Sequence, residues 1–182
     1  MSTLGKKDLG VRKFDLLFSQ DKIARRIREI GAEISRDYED KDPILVGILK
    51  GCVVFMADLI RAISIPIEIE FVNATSYSNG QIQDDKVVLS DGPEVDLRNR
   101  HILIVEGVVD SGNTVDILIK NLSLMEPASI EIVTLLDKPN DRQKDVNIKY
   151  IGFDAGDDFV IGYGLDVSQK YRNLPFIGKV ID

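Results

Sequence analysis

Two stretches of the chain are apolar almost without a break, Ile44–Leu49 and residues 102–105. Continuous runs of this kind suit strands buried on both faces of a parallel sheet rather than strands with one wet side. Elsewhere the apolar positions change period. Ile23, Ile27, Ile30 and Ile34 step four, three, four within residues 21–36, with Arg25, Arg26, Arg28 and Glu33 elsewhere, which predicts an amphipathic helix. A polar turn over 37–43 leads into the first strand. Phe55, Met56, Leu59, Ile60 and Ile63 predict a second helix, and Val115, Leu118, Ile119, Leu122 and Met125 a third. Pro66 resets the chain into residues 67–72, where alternation predicts an edge or one-sided strand; residues 130–136, 148–153 and 159–162 also read as strands. Residues 173–182, with Pro175 and Gly178, are expected to pack back as irregular structure. Strand–helix–strand at this spacing is a βαβ unit, so the expectation is one α/β domain over 1–182 with a parallel sheet flanked by helices.

Residues 73–95 break the pattern. Asn73, Thr75, Ser76, Ser78, Asn79, Gly80, Gln81, Gln83, Asp84 and Asp85 form the longest polar tract, followed by Val87-Val88-Leu89. The expectation is a loose hairpin or flap, because a loop this long in a compact domain is usually functional or disordered.

Bulk properties narrow the function. A net charge of −7 and a pI near 4.8 argue against non-specific nucleic-acid binding, which needs a basic face. No apolar run reaches the roughly twenty residues of a membrane span, and the opening MSTLGKKDLGVRKF lacks the apolar core of a signal peptide. The single cysteine, Cys52, excludes an internal disulfide and fits a reducing cytoplasm. An acidic chain that binds a polyanion must do so locally, through a few placed cations, helix N-termini, or a divalent metal held by its own carboxylates.

The chemistry concentrates in residues 101–119. A buried strand leads to Glu106 and Asp110, two carboxylates expected to bracket a short break. Ser111, Gly112, Asn113 and Thr114 follow, and then a helix begins. Strand, small-residue loop and helix N-terminus bind phosphate through backbone N–H groups and the helix dipole. The Walker loop would place a lysine at the helix start; here a carboxylate leads in. The Gly-x-Gly-x-x-Gly fingerprint of a dinucleotide-binding oxidoreductase is missing.

Residues 105–114, VEGVVDSGNT, resemble the phosphoribosyl-pyrophosphate-binding signature of type I phosphoribosyltransferases. Leu49-Lys50-Gly51, Ser76-Tyr77, Leu135-Leu136-Asp137-Lys138-Pro139, residues 158–166 and Tyr171-Arg172-Asn173-Leu174-Pro175 resemble the hypoxanthine (hypoxanthine–guanine) branch, in its order. The resemblance implies transfer of ribose 5-phosphate from phosphoribosyl pyrophosphate to a 6-oxopurine, a flexible active-site flap over about 73–95 carrying Ser76 and Tyr77, and a base-recognition hood mainly over 150–182. It implies that Asp110 is the proton acceptor toward the purine. Glu106 and residues 110–114 would hold the ribose and its 5-phosphate. Lys50 and Gly51, across a strained Leu49–Lys50 peptide whose cis or trans form the sequence leaves open, would bind pyrophosphate together with Ser76, Tyr77 and Arg172. Lys138 would donate to the six-position oxygen, Phe159 would stack on the base, and Val160 would offer backbone bonds. Asp166 would hold Mg2+, with Glu106 joining through water. Homodimers or homotetramers in the cytoplasm are the implied form.

One position departs from the signature. Gly107 stands where the family has a second acidic residue. Losing one charge-assisted hydrogen bond costs roughly 1.5–3 kcal/mol, about one to two decades in rate or affinity. That gap admits an alternative, a non-catalytic nucleotide-binding regulator on the same scaffold. His101, with no second histidine, and Cys52, which opens an apolar helix, are assigned no role.

Overall fold

A computed structural model of the chain describes residues 13–77, 86–90 and 95–181. In order the elements are β1 (Lys13–Phe18), α1 (Gln20–Asp37), β2 (Ile44–Leu49), α2 (Val53–Ala62), β3 (Glu68–Tyr77), β4 (Lys86–Ser90), β5 (His101–Val109), α3 (Asn113–Ser123), β6 (Ser129–Asp137), a 3-10 turn (Pro139–Asp141), β7 (Tyr150–Asp154), β8 (Val160–Ile161) and β9 (Ile177–Ile181). The main sheet runs β4-β3-β2-β5-β6-β7, parallel throughout except for β4, and a smaller antiparallel sheet runs β1-β9-β8.

The unbroken apolar runs are explained by burial from both sides. Successive strand residues point to opposite faces. Leu45, Leu103, Val105, Val133 and Leu135 pack against Ile23, Ile27, Ile30 and Ile34 of α1 and Phe55, Met56 and Leu59 of α2. Ile44, Val46, Ile48, Ile102, Ile104 and Ile132 pack against Val115, Leu118 and Leu122 of α3. The Ser19 hydroxyl caps α1 by accepting from the N–H of Lys22 at 3.3 Å.

Pairing registers place the site. β2 stays with β3 up to Leu49↔Asn73, and β5 stays with β6 up to Val109↔Asp137. β2 and β5 pair only as far as Gly47↔Val105. Beyond that point the two halves of the sheet separate, which opens a crevice at the carboxyl ends of the strands where the strand order reverses.

Three expectations need correction. β5 does not end before Glu106; it continues through Gly107 and Val108 to Val109, so Glu106 sits in a strand and only Asp110 is in the break. α3 stops at Ser123, which leaves Met125 40% exposed off the helix. Residues 173–182 are not wholly irregular, since β9 pairs with β1 from Lys13↔Ile181 to Phe18↔Ile177. The β1 strand itself, buried through Phe14 and Phe18, has no local signal beyond a short alternation, because its partner lies at the other end of the chain. The predicted hairpin is present as β3 and β4 paired from Asn73↔Ser90 to Tyr77↔Lys86, while residues 78–85 and 91–94, most of the expected flap, lie outside the described residues. Among the described residues no helix is long and apolar enough to cross a membrane.

The two helices on one face meet closely at Gly31, where an added Cβ would lie 2.6 Å from the carbonyl oxygen of Ala62. Gly31→Val is expected to overpack this contact at a cost of about 3 kcal/mol and lower Tm by about 6–12 °C. Differential scanning calorimetry checks it, and an unchanged Tm would mean that the helices separate freely.

Candidate active site

The crevice between β2 and β5 is a cavity of about 220 Å³ lined by Leu49, Gly51, Glu106 and the run Asp110-Ser111-Gly112-Asn113-Thr114. The sequence-predicted pyrophosphate, ribose and phosphate residues therefore converge, except Lys50, whose side chain is exposed beside it, Arg172, which lines a different cavity, and Ser76 and Tyr77, whose side chains lie outside the described residues. A larger cavity, about 560 Å³, lies between α1, α2 and Arg172-Asn173-Leu174-Pro175 and holds none of the cradle.

The cradle follows from its backbone. Gly112 is the residue before α3, at φ 81°, a conformation that disfavours any side chain. Asn113, Thr114 and Val115 then form the first turn of α3, whose N–H groups have no partner within the helix. Asp110 is not the helix cap, because Gly112 holds that place. Its carboxylate is exposed and accepts no hydrogen bond among the described residues. A carboxylate left open at the mouth of an anion cradle is available to take a proton.

Glu106 is the reverse case. Its side chain accepts from the N–H of Gly107 at 3.0 Å inside the sheet. Burial pushes its carboxyl up to about 8, against the opposing pull of the Gly107 and Val108 N–H groups. Cys52, fully buried at the start of α2, has its thiol pushed up to about 12 by burial and by the neighbouring Glu106 charge, so it remains an unreactive core residue. His101 lies at the start of β5, at the opposite end of the sheet from the crevice, with its Nδ1 2.7 Å from the Ser129 hydroxyl.

Gly107 has a steric reason for lacking a side chain. An added Cβ would stand 2.9 Å from the Gly51 carbonyl oxygen and 3.2 Å from Leu165. Gly164 presses on the same carbonyl, 2.4 Å from its own missing Cβ, at φ 97°. The Leu49–Lys50 peptide, left open by the sequence, is cis.

Asp166 and Arg172 meet at 2.7 Å. The guanidinium also donates to the Gly164 carbonyl at 2.6 Å, and Asp166 accepts from the N–H of Gln169 at 2.7 Å. Arg172 is thus committed to its own loop and lines the larger cavity rather than the cradle. Among the described residues, no group of three or more His, Cys, Asp or Glu side chains could hold a metal by itself. Carboxylate oxygen from Asp166 and Glu106 suits magnesium, which is commonly held by one or two carboxylates and completed by substrate phosphates.

At the end of β6, Lys138 is buried, its N–H donates to the Val109 carbonyl at 3.0 Å, and its ammonium lies 4.0 Å from Asp141. Phe159 is 56% exposed at the entry to β8, and Val160 pairs with Lys179 of β9. An aromatic this exposed is not part of the core. The sequence reading missed Arg142, whose guanidinium reaches the cradle from the polar segment after Lys138. Nothing local distinguishes it from a surface arginine.

Residues 15–168 match the phosphoribosyl transferase domain family. The chain belongs to that family. It is 42% identical over 170 residues to the hypoxanthine phosphoribosyltransferase of Haemophilus influenzae, an alignment covering 92% of this chain and 95% of that protein. It is 40% identical over 163 residues to the hypoxanthine-guanine phosphoribosyltransferase of Bacillus subtilis, covering 90% and 91%. The crystal structure of a hypoxanthine phosphoribosyltransferase from Staphylococcus aureus superposes with a TM-score of 0.87 at 38% identity, covering 92% of this chain and 91% of that one. The parallel sheet flanked by helices is thus the type I phosphoribosyltransferase fold.

Glu106 yields a pH prediction for the ligand-free family member. Its pKa is raised on folding from 4.5 to about 8, so the native state holds the proton longer than the unfolded chain. Native stability should therefore fall as pH rises through that window, by up to about 1.4 kcal/mol per pH unit from this group. Glu106→Gln should lack that component and be the more stable protein at about pH 9. Urea unfolding at both ends of the window, without magnesium or nucleotide, measures this. Parallel profiles for the two proteins would show that Glu106 is already charged.

Proposed function

We propose that this chain transfers ribose 5-phosphate from phosphoribosyl pyrophosphate to hypoxanthine, and to guanine as a second 6-oxopurine, giving the nucleoside monophosphate and pyrophosphate. The observation that carries the proposal is the crevice between β2 and β5, which joins an anion cradle to an unpartnered carboxylate, Asp110. A buried lysine stands at the end of the next strand.

In this reading the 5-phosphate sits on the N–H groups of residues 111–114 and the hydroxyls of Ser111 and Thr114. Pyrophosphate is met by Lys50 and Gly51, by Ser76 and Tyr77 from the flap, and by Arg172 once it exchanges Asp166 for phosphate oxygen. The purine lies against Phe159 with Lys138 donating to its six-position oxygen and the Val160 backbone fixing its edge. A ring nitrogen bonds to the anomeric carbon as the bond from that carbon to pyrophosphate breaks, and Asp110 takes the ring proton. Asp166, and through water Glu106, would hold Mg2+, which would supply positive charge against the pyrophosphate. The flap over about 73–95 keeps water from the sugar cation, and the hood over 150–182, together with β1, frames the base. We place the protein in the cytoplasm as a homodimer or homotetramer, with no nucleic acid or membrane as partner. A non-catalytic regulator would have no use for an open carboxylate beside the cradle, and no observation favours it.

The decisive assay is pyrophosphate release and nucleotide formation from phosphoribosyl pyrophosphate with hypoxanthine, guanine or xanthine, with and without magnesium. Turnover is expected to require magnesium and to drop by about two to four decades in Asp110→Asn. Binding of nucleotide without turnover would overturn the enzyme reading in favour of the regulator. In the same assay Gly107→Ala should raise the KM for phosphoribosyl pyrophosphate about tenfold, the equivalent of about 1.4 kcal/mol of overpacking against Gly51. Gly107→Asp should recover part of that loss through a new ribose contact. An Ala variant with wild-type KM would show that Gly51 moves aside at no cost.

A further inference from the structure

We propose that Arg142 is a positioning residue that locks the phosphate cradle to the purine-recognition end of β6. The inference rests on the phosphoribosyl-transfer reading and adds a residue to it. Residues 109, 110 and 111 all turn their carbonyls toward the segment that follows Lys138. The Val109 carbonyl accepts from the N–H of Lys138 at 3.0 Å, and the Ser111 carbonyl accepts from the N–H groups of Gln143 and Lys144 at 2.9 and 3.0 Å. The carbonyl between them, of Asp110, accepts from Nε of Arg142 at 2.9 Å. Nη2 of the same guanidinium donates to the Val109 carbonyl at 3.4 Å and pairs with the Asp137 carboxylate. Asp137 and Arg142 are both largely buried, with side chains 14% and 18% exposed.

The consequence is geometric. Carbonyls drawn to one side of a short loop leave its N–H groups facing the other side, and here the other side is the cavity. The Asp137 end of the brace adjoins Lys138, which is assigned to the purine. One planar fork therefore spans the backbone of the proton-accepting Asp110 and the carboxylate beside the base-recognising lysine, setting the spacing between the two substrate halves. Gly112 adds a packing contact, because its missing Cβ would lie 3.1 Å from Cδ of Arg142. A lysine ammonium is a point charge and cannot serve three separated acceptors.

The test compares wild type, Arg142→Ala, Arg142→Lys and the Arg142→Ala/Asp137→Ala double variant in steady-state transfer, with and without millimolar guanidinium. Thermal unfolding confirms that each is folded. Arg142→Ala is expected to lose about a hundredfold in kcat/KM, the scale of a misplacement of about an ångström. Arg142→Lys should recover little of it. Guanidinium should restore activity several-fold in Arg142→Ala but not in the double variant, which lacks the Asp137 carboxylate that would hold it. Wild-type kinetics in Arg142→Ala, or a loss that guanidinium does not relieve, would overturn the assignment. Amide hydrogen exchange over residues 109–115 judges the brace without turnover: faster exchange in Arg142→Ala supports it and an unchanged rate sinks it. A wild-type chain that transfers nothing would refute the transfer reading, and the exchange result would still decide the role of Arg142.

Discussion

The site exists because β2 and β5 part company. Both strands are buried on both faces and both are held by a neighbour along their full length, β2 by β3 and β5 by β6. Their mutual pairing stops at Gly47↔Val105, two residues short of the end of β2 and four short of the end of β5. Backbone groups freed at that point have no further strand to pair with, so the gap is polar, rigid on both sides and open only at the carboxyl edge. α2 and α3 then leave on opposite faces, and each brings its N-terminal turn back to the same gap. The loop after β2 contributes Gly51 to the gap, the loop after β5 contributes residues 110–114, and Lys138 stands at the end of the next strand, β6.

The second constraint is charge. A chain with net charge −7 repels a polyanion at long range, so attraction must come from groups that act over a few ångströms. Backbone N–H groups at the start of α3 do this without adding a side-chain charge. The acidic groups nearby are also managed: Glu106 is half-buried with its carboxyl pushed up to about 8, and Asp166 is covered by Arg172 at 2.7 Å. Among the described residues lining the crevice, only Asp110 stands open. The crevice is therefore less negative than its sequence suggests.

Much of this was legible in the chain. The three helices, the run Ile44–Leu49 and the anion loop could be read from period and composition, because each depends on residues close in sequence. What escaped the reading depends on distant partners. β1 and β9 are short, ordinary segments until they meet across the length of the chain. Glu106 looked like a loop charge because a carboxylate followed by glycine resembles a break, yet β6 holds that stretch as strand through Glu106↔Thr134 and Val108↔Leu136. Arg142 is hidden for the same reason, since its acceptors lie some thirty positions earlier and five positions back. The position of Arg172 also differs from the simplest expectation, because its guanidinium serves Asp166 and Gly164.

Gly107 is best understood through the Gly51 carbonyl. That oxygen is enclosed by Gly107 on one side and Gly164 on the other, with Leu165 closing over Gly107. Three segments distant in sequence, the pyrophosphate loop, the middle of β5 and the approach to Asp166, thus meet at backbone contacts with no side chain between them. A carboxylate at 107 would offer the ribose another acceptor but would need the Gly51 carbonyl to yield by a few tenths of an ångström. The glycine gives up a favourable polar contact worth roughly 1.5–3 kcal/mol and avoids overpacking worth about 1–3 kcal/mol. Two opposed quantities of that size explain how a family member can omit an acidic residue of its signature and keep the remaining geometry of the site.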